Sequence, residues 1–264
     1  MTASLLPERF VFRPALLVVA HPDDEVIGVG TLLPRFRNLR AIVHVTDGAP
    51  RRGPDAARAG ANSWQEYAAL RRAEFFAAMR RAGVTAEFVC LGCPDQEASF
   101  QLPALAEQLR KVCQRLRPAV LFTHSYEGGH PDHDACAAAV SFACSTMPSR
   151  ERASEVLEFA SYHSGYKGEF EAERFLGHSR RLWPRLLTEQ EQQFKRELAA
   201  CYPSQQQVLA QFPLREEPIR IAPQYDFSKP PHRGKLHYEN FSWGMTGRRW
   251  RELARRAMTT MGIS

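Results

Sequence analysis

Short apolar, β-branched runs alternate with longer stretches of helical periodicity through the first half of the chain. Residues 16–20 (LLVVA), 41–46 (AIVHVT), 87–91 (EFVCL) and 119–123 (AVLFT) read as strands. Between them, residues 24–37, 63–82 and 102–116 carry apolar side chains at helical spacing. Ser63 is placed to cap the second helix, with Glu66 completing a capping box and Gly83 as its stop. Two same-direction strands joined through a helix need a right-handed crossover, and repeating that unit builds a parallel sheet covered on both faces. The expectation is a Rossmann-like three-layer α/β sandwich with a mostly parallel sheet.

After about residue 150 the rhythm loosens. Residues 156–162 suggest another strand, 188–201 a helix capped by Thr188, and 218–226 a late extended segment. A chain of 264 residues fits one domain and buries a full core without disulfides. It is therefore read as a single domain over 1–264, with a core over about 14–150 and an irregular, pocket-shaping C-terminal extension over about 151–264.

Several function classes are set aside on composition and spacing. Gly28-Val-Gly30 resembles the start of a dinucleotide fingerprint, but Leu33 occupies the third glycine position and the glycines fall inside a helix. Close packing of helix on sheet explains them better. Cys90-Leu-Gly-Cys93 has no second pair to complete a zinc cluster and reads as a strand-end pair without chemical role. The net charge is +6, yet arginines are scattered through the helices rather than gathered in a block, so no nucleic-acid partner is expected. The longest apolar runs are strand-sized, no signal-peptide pattern opens the chain, and the six cysteines are dispersed. A cytoplasmic protein without a membrane span is expected, and its oligomeric state is left open.

Two clusters carry chemistry. Residues 20–25 (AHPDDE) follow the first strand, and residues 128–134 (GGHPDHD) follow the fourth after a short loop. Ligands in open α/β sheets bind beyond the carboxyl ends of strands, so the clusters can converge despite their separation in the chain. In His21-Pro-Asp-Asp24 and His130-Pro-Asp-His133, donors stand three residues apart across a helix start, where i and i+3 share a face. Pro22 and Pro131 suit the first helical turn. Two histidines and one aspartate would form a catalytic zinc site with an open position. Read singly, HPDD is an N-capping segment and HPDH a polar loop; read together they are a metal site. Spacing alone leaves open which aspartate binds metal, and which of His130 and His133 does.

The paired motifs resemble the LmbE/PIG-L family of metal-dependent N-acetylglucosaminyl deacetylases. Residues 70–74 (LRRAE), 91–95 (LGCPD) and 201–205 (CYPSQ) look like further family landmarks, weak singly. The resemblance implies that His21, Asp24 and His133 hold the metal, Zn2+ or alternatively Fe2+ or another divalent ion. It implies Asp23 as the general base acting on a metal-bound water. His130 would stabilise the oxyanion or protonate the leaving amine, with Asp132 orienting it. An amide needs a Lewis acid, a hydroxide and a proton donor together, which this set would supply.

Some relatives carry a tyrosine two residues before the first histidine of the second motif; here that position is Gly128, and Tyr126 is the nearest candidate substitute. Arg71 resembles a substrate-contacting arginine, against the alternative of a surface ion pair with Glu74. Asp95 and Asp47 stand at strand ends, as pocket or turn residues. His163 is a rim candidate, and Trp64 and Phe100 are candidate sugar-stacking rings. The leading expectation is a hydrolase removing an N-acyl group, acetyl above all, from an amino sugar or an N-acetylglucosamine glycoconjugate. The competing readings are an amidase of a larger sugar–thiol or glycopeptide conjugate, a metal-dependent phosphohydrolase and a binding protein with a structural zinc.

Overall fold

The computed structural model describes residues 8–165, 167–177 and 182–263. Among these, strands β1 (Ala15–Val19), β2 (Leu39–Pro50), β3 (Glu87–Asp95), β4 (Val120–His124) and β5 (Glu155–Phe159) pair in parallel. A hairpin of β6 (Tyr162–Ser164) and β7 (Phe170–Ala172) stands apart from them. Strands β8 (Leu182–Trp183) and β9 (Ile219–Ile221) extend the sheet antiparallel, giving seven strands in the order β3-β2-β1-β4-β5-β9-β8. The chain runs outward from β1 through β2 to β3, then returns to begin again at β4 on the other side of β1. The order therefore reverses between β1 and β4, and a crevice opens there at their carboxyl ends.

Successive side chains of a strand point to opposite faces, so a strand with two apolar faces needs cover on both. Leu16 and Val18 of β1 enter one core, while Leu17 and Val19 enter the other. The first core is closed by α3 (Leu102–Leu116), α4 (Pro131–Thr146) and the C-terminal α6 (Gly247–Met261). The second is closed by α1 (Asp24–Val29) and α2 (Trp64–Ala82), with Leu198 of α5 (Glu189–Ala199). In α3 the buried Leu102, Leu105, Leu109 and Val112 lie on one stripe, each large aliphatic contributing about 1.5–3 kcal/mol on burial.

The helix expected over 24–37 is α1, which ends at Val29, followed by a separate 3-10 turn at Leu33–Arg35. Two glycines and Pro34 explain the early stop. Gly28 lies so close to β5 that a Cβ on it would stand 2.3 Å from the Phe159 ring. The cap of α2 is as expected at Ser63, whose hydroxyl accepts from Glu66 N–H at 3.2 Å. Glu66, however, turns back to Asn62 rather than closing the box on Ser63. Thr188 and Glu191 do form a complete box at the start of α5. The stretch expected as one strand over 156–162 divides between β5 and β6. No helix among the described residues is long and apolar enough to cross a membrane.

Candidate active site

The first cluster lies at the tight turn between β1 and α1. Asp23 occupies the N-cap position of α1 but makes no side-chain cap bond, and its φ is 124°. That left-handed backbone costs a non-glycine residue about 1–3 kcal/mol. It turns the carboxylate away from the helix end toward Arg71, whose Nη2 donates to Asp23 Oδ2 at 3.2 Å and to the Pro22 carbonyl at 2.5 Å. Beneath the turn, the fully buried Glu25 accepts the Asp23 N–H at 3.2 Å, stands 3.2 Å from His44 Nε2, and accepts the Tyr202 phenol.

Asp24 draws the two clusters together. Its carboxylate stands 3.2 Å from His21 Nδ1 and 3.1 Å from His133 Nε2. Donors bound to one zinc at about 2.0–2.1 Å in tetrahedral array lie about 3.3–3.4 Å apart, and each histidine stands at about that distance from one of the two Asp24 oxygens, His21 from Oδ2 and His133 from Oδ1. His133 also stands in two groups of donors that lie within 4.8 Å of one another, one with His21 and His130, the other with Asp24 and His124. The nitrogens of His124 are already engaged: Nε2 accepts Ala20 N–H at 3.1 Å and Nδ1 meets Ser161 Oγ at 3.0 Å. His124 instead stacks on His133, ring centroids 4.0 Å apart, and holds that ring flat.

The outer nitrogen of His21 is oriented from behind. His21 Nε2 meets Asp132 Oδ2 at 3.3 Å and Asp95 Oδ1 at 3.1 Å. Asp132 itself is locked by Gln96 N–H at 2.6 Å and Ala98 N–H at 3.1 Å. A carboxylate behind a ligating histidine fixes its tautomer and strengthens it as a donor. Asp132 was expected to orient His130, but its carboxylate lies 4.0 Å from His130 Nδ1, which accepts the Asp132 backbone N–H at 3.1 Å instead. The proton of the neutral His130 ring therefore belongs on Nε2, 3.9 Å from Asp95.

Charge in this buried cluster is unevenly held. Burial opposes ionisation of Asp24, but His133 and His124 outweigh it and keep the carboxyl well below its usual range. Burial likewise disfavours charge on His21, and Asp95 with Asp132 and Asp24 overcomes it and raises the imidazole well above its ordinary value. Burial pushes Asp23 up to about 7 against the pull of Arg71. Burial and then the charge of His21 bring His130 down to about 3.

A cavity of about 910 Å³ opens over these groups. Its inner end holds His21, Asp23, Asp24, Asp95, His130 and His133, and its walls come from both halves of the chain. Ser204 and Gln205 form one wall, anchored on Glu74 and Tyr67. Tyr162 lines another, its ring 5.3 Å from that of His133. Tyr162, His124 and the Glu25–Tyr202 contact escaped sequence reasoning. Only the CYPSQ stretch signalled any of them, and it carried no role.

Three expected substrate contacts fall differently. Asp95 lines the cavity but rests on His21. Arg71 is only 2% exposed, so it is no surface partner of Glu74; its guanidinium reaches the cavity wall while holding Asp23. Tyr126 is a core residue: its hydroxyl donates to the Lys229 carbonyl at 2.8 Å, and its ring packs on Trp250, Tyr225 and Phe227. It cannot replace a tyrosine at position 128. Gly128 itself has φ +73°, and a Cβ there would stand 2.7 Å from Leu236.

The remaining candidates are structural. His163 is buried with Nδ1 on the Ser164 carbonyl, Asp47 pairs with Arg51, and Trp64 and Phe100 lie under Arg51 and Arg249. Cys90 and Cys93 are free thiols within β3.

Residues 16–144 match the family model described as PIG-L: GlcNAc-PI de-N-acetylase. The chain is 33% identical over 144 residues to 1D-myo-inositol 2-acetamido-2-deoxy-alpha-D-glucopyranoside deacetylase 2 of Catenulispora acidiphila, covering 46% of this chain and 47% of that protein. It thus spans about half the length of that relative. It is 28% identical over 161 residues to the probable N-acetyl-alpha-D-glucosaminyl L-malate deacetylase 2 of Bacillus anthracis, covering 59% of this chain and 70% of that one. In fold it resembles a deacetylase of teicoplanin biosynthesis, with a TM-score of 0.59 at 18% identity, over 80% of this chain and 99% of that one. Both histidine motifs fall inside residues 16–144, the segment in which this chain is similar to the PIG-L, or LmbE, family model.

Proposed function

We propose that this chain is a metal-dependent hydrolase that removes the N-acetyl group from an amino sugar within a larger glycoside. One observation carries the reading: a carboxylate outside the donor set, Asp23, stands beside Asp24 at the inner end of an open cavity, held there by Arg71. The deacetylase names of the inositol and malate relatives support it. His21, Asp24 and His133 would hold a divalent cation, zinc or ferrous iron. Such a cation supplies Lewis acidity, polarising the acyl oxygen and lowering the pKa of a coordinated water.

The chain's own groups do the rest. Asp23 accepts the proton of the attacking water, and Arg71 keeps its carboxylate aimed while strain in its backbone prevents it from turning back to cap α1. The ring N–H of His130 donates to the oxygen that becomes an anion as the carbonyl carbon turns tetrahedral. Asp132 and Asp95 fix His21 from behind. The leaving nitrogen takes the proton that Asp23 gained, so that amide and water become amine and acetic acid, and the acid's proton then passes to the amine to leave ammonium and acetate.

The test is release of free amine from a panel of N-acetylated amino sugars and their glycosides, with metal content measured in parallel. Asp23→Asn is expected to retain metal and lose about 10²–10⁴-fold in rate. Near-normal turnover in that variant removes Asp23 as the base, and a metal-loaded protein inactive across the panel overturns the reading.

A further inference from the structure

Gln96 holds φ at +71°, one of five described residues other than glycine in the left-handed region. A side chain there is strained, so such residues persist where something else requires them. Four of the five have a visible reason. Asp23 is the carboxylate held by Arg71, and Glu173 accepts the N–H groups of Arg215 and Glu216 at 2.9 and 3.0 Å. Leu214 is buried in the second core. Arg117 ends α3 in solvent, its N–H on the Cys113 carbonyl at 2.7 Å.

Gln96 is different. It is the third residue of the turn Pro94–Glu97 at the end of β3, closed by the Glu97 N–H on the Pro94 carbonyl at 3.1 Å. A left-handed third position is where turns take glycine. The backbone there has a use: Gln96 N–H donates to Asp132 Oδ2 at 2.6 Å, part of the support behind His21. Glycine would donate the same bond without strain. The backbone therefore accounts for the φ and not for the side chain. The Gln96 carboxamide has no hydrogen-bond partner among the described residues.

The residue is half-buried and lines the cavity. Its neighbour Asp95 stands 3.1 Å from His21 and 3.9 Å from His130, and Trp243, its ring 4.8 Å from that of His130, lines the cavity as well. Gln96 thus belongs to the donor end. The ionised carboxylates of that end only accept hydrogen bonds, whereas a carboxamide is neutral and both donates and accepts. A sugar hydroxyl, also donor and acceptor, is its complement.

We infer that Gln96 is a specificity-determining residue whose carboxamide hydrogen-bonds a ring hydroxyl of the amino sugar. The inference rests on the proposed function, from which it takes the bound sugar.

The experiment reads binding rather than turnover, so that the two proposals fail separately. The methyl glycoside of N-acetylglucosamine and its 3-, 4- and 6-deoxy analogues are titrated calorimetrically into metal-loaded Asp23→Asn protein, alone and with Gln96→Ala or Gln96→Gly added. Each added change should weaken the parent glycoside about three- to tenfold, the value of one neutral hydrogen bond. One deoxy analogue should bind weaker by the same factor beforehand and lose nothing further, as a shared contact requires. Gln96→Gly should unfold at a urea concentration no lower than Asp23→Asn alone, because glycine relieves the left-handed strain. A lower midpoint assigns the side chain to the fold, and a loss in Gln96→Gly without one in Gln96→Ala assigns the effect to backbone freedom. Either overturns the contact, as does an equal loss for the parent and all three deoxy analogues. Unchanged affinity in both variants, where the native protein releases amine, overturns the contact and keeps the hydrolase. The expected pattern in a protein whose native form releases no amine keeps the contact and overturns the hydrolase.

Discussion

The phenol of Tyr202 donates to the carboxylate of Glu25, 177 positions earlier in the chain, with both side chains wholly buried. The same carboxylate accepts the N–H of Asp23 and lies against His44. One residue from the C-terminal half thereby braces the strained turn that aims Asp23. Tyr202→Phe keeps the ring and removes one hydrogen bond to a charged group, worth about 1.5–3 kcal/mol. The urea midpoint should fall accordingly. With the turn less firmly held, kcat should drop about tenfold while metal content stays the same. A destabilised variant with full kcat would show that Glu25 supports the fold without positioning Asp23.

Metal retention should separate the donors from the groups behind them. His133→Ala removes the nitrogen 3.1 Å from Asp24, and the purified variant should lose the roughly one divalent ion per chain expected of the parent. Asp132→Asn leaves the donor set whole but weakens the acceptor behind His21. Competition with a chelator should then show affinity about 10–100-fold lower, without loss of binding. Full occupancy in His133→Ala would remove it from the donor set.

Gly28→Ala tests why the glycines of α1 are there. Alanine gains about 1 kcal/mol over glycine in a helix interior, but its Cβ would stand 2.3 Å from Phe159, and overpacking of that kind costs about 1–3 kcal/mol. The clash should win, and the variant should unfold at lower urea. Pairing it with Phe159→Leu should cost less than the two changes summed, because the second makes room for the first. Simple additivity would mean the helix moves off the sheet instead.

The parts of this molecule that were legible in sequence are those set by local pattern. The bounds of α3, the caps at Ser63 and Thr188 and the αL stop at Gly83 follow from neighbouring residues and backbone propensity. The meeting of the two histidine motifs was also readable in part, because both follow strands of a parallel sheet, at whose carboxyl ends ligands bind, and the pairing of β1 with β4 then sets them side by side. What escaped depends on partners distant in sequence. Nothing local to Asp132 tells whether its carboxylate turns to His130 or to His21; Gln96 and Ala98 decide that. Nothing local to Tyr202 or Trp243 brings either to the site. The extended segment expected over 218–226 holds β9, but its antiparallel pairing with β5, and the short β8 that pairs with it in turn, were obscured for the same reason.

The two tyrosines near the second motif should behave oppositely. Tyr126 is spent on the core: its hydroxyl is taken by the Lys229 carbonyl and its ring by three aromatic neighbours. Tyr126→Phe should cost about 1 kcal/mol of stability, one neutral hydrogen bond, and leave kcat and KM unaltered. Tyr162 lines the cavity beside His133, and its hydroxyl has no hydrogen-bond partner among the described residues, so it is free to donate to a bound substrate. Tyr162→Phe should keep metal content and melting temperature and lower kcat/KM about tenfold, the value of one such bond. Steady-state kinetics on both variants with a single glycoside decides the matter. A loss in Tyr126→Phe with none in Tyr162→Phe would return the substrate hydroxyl to the loop before His130, against the packing of Tyr126 on Trp250.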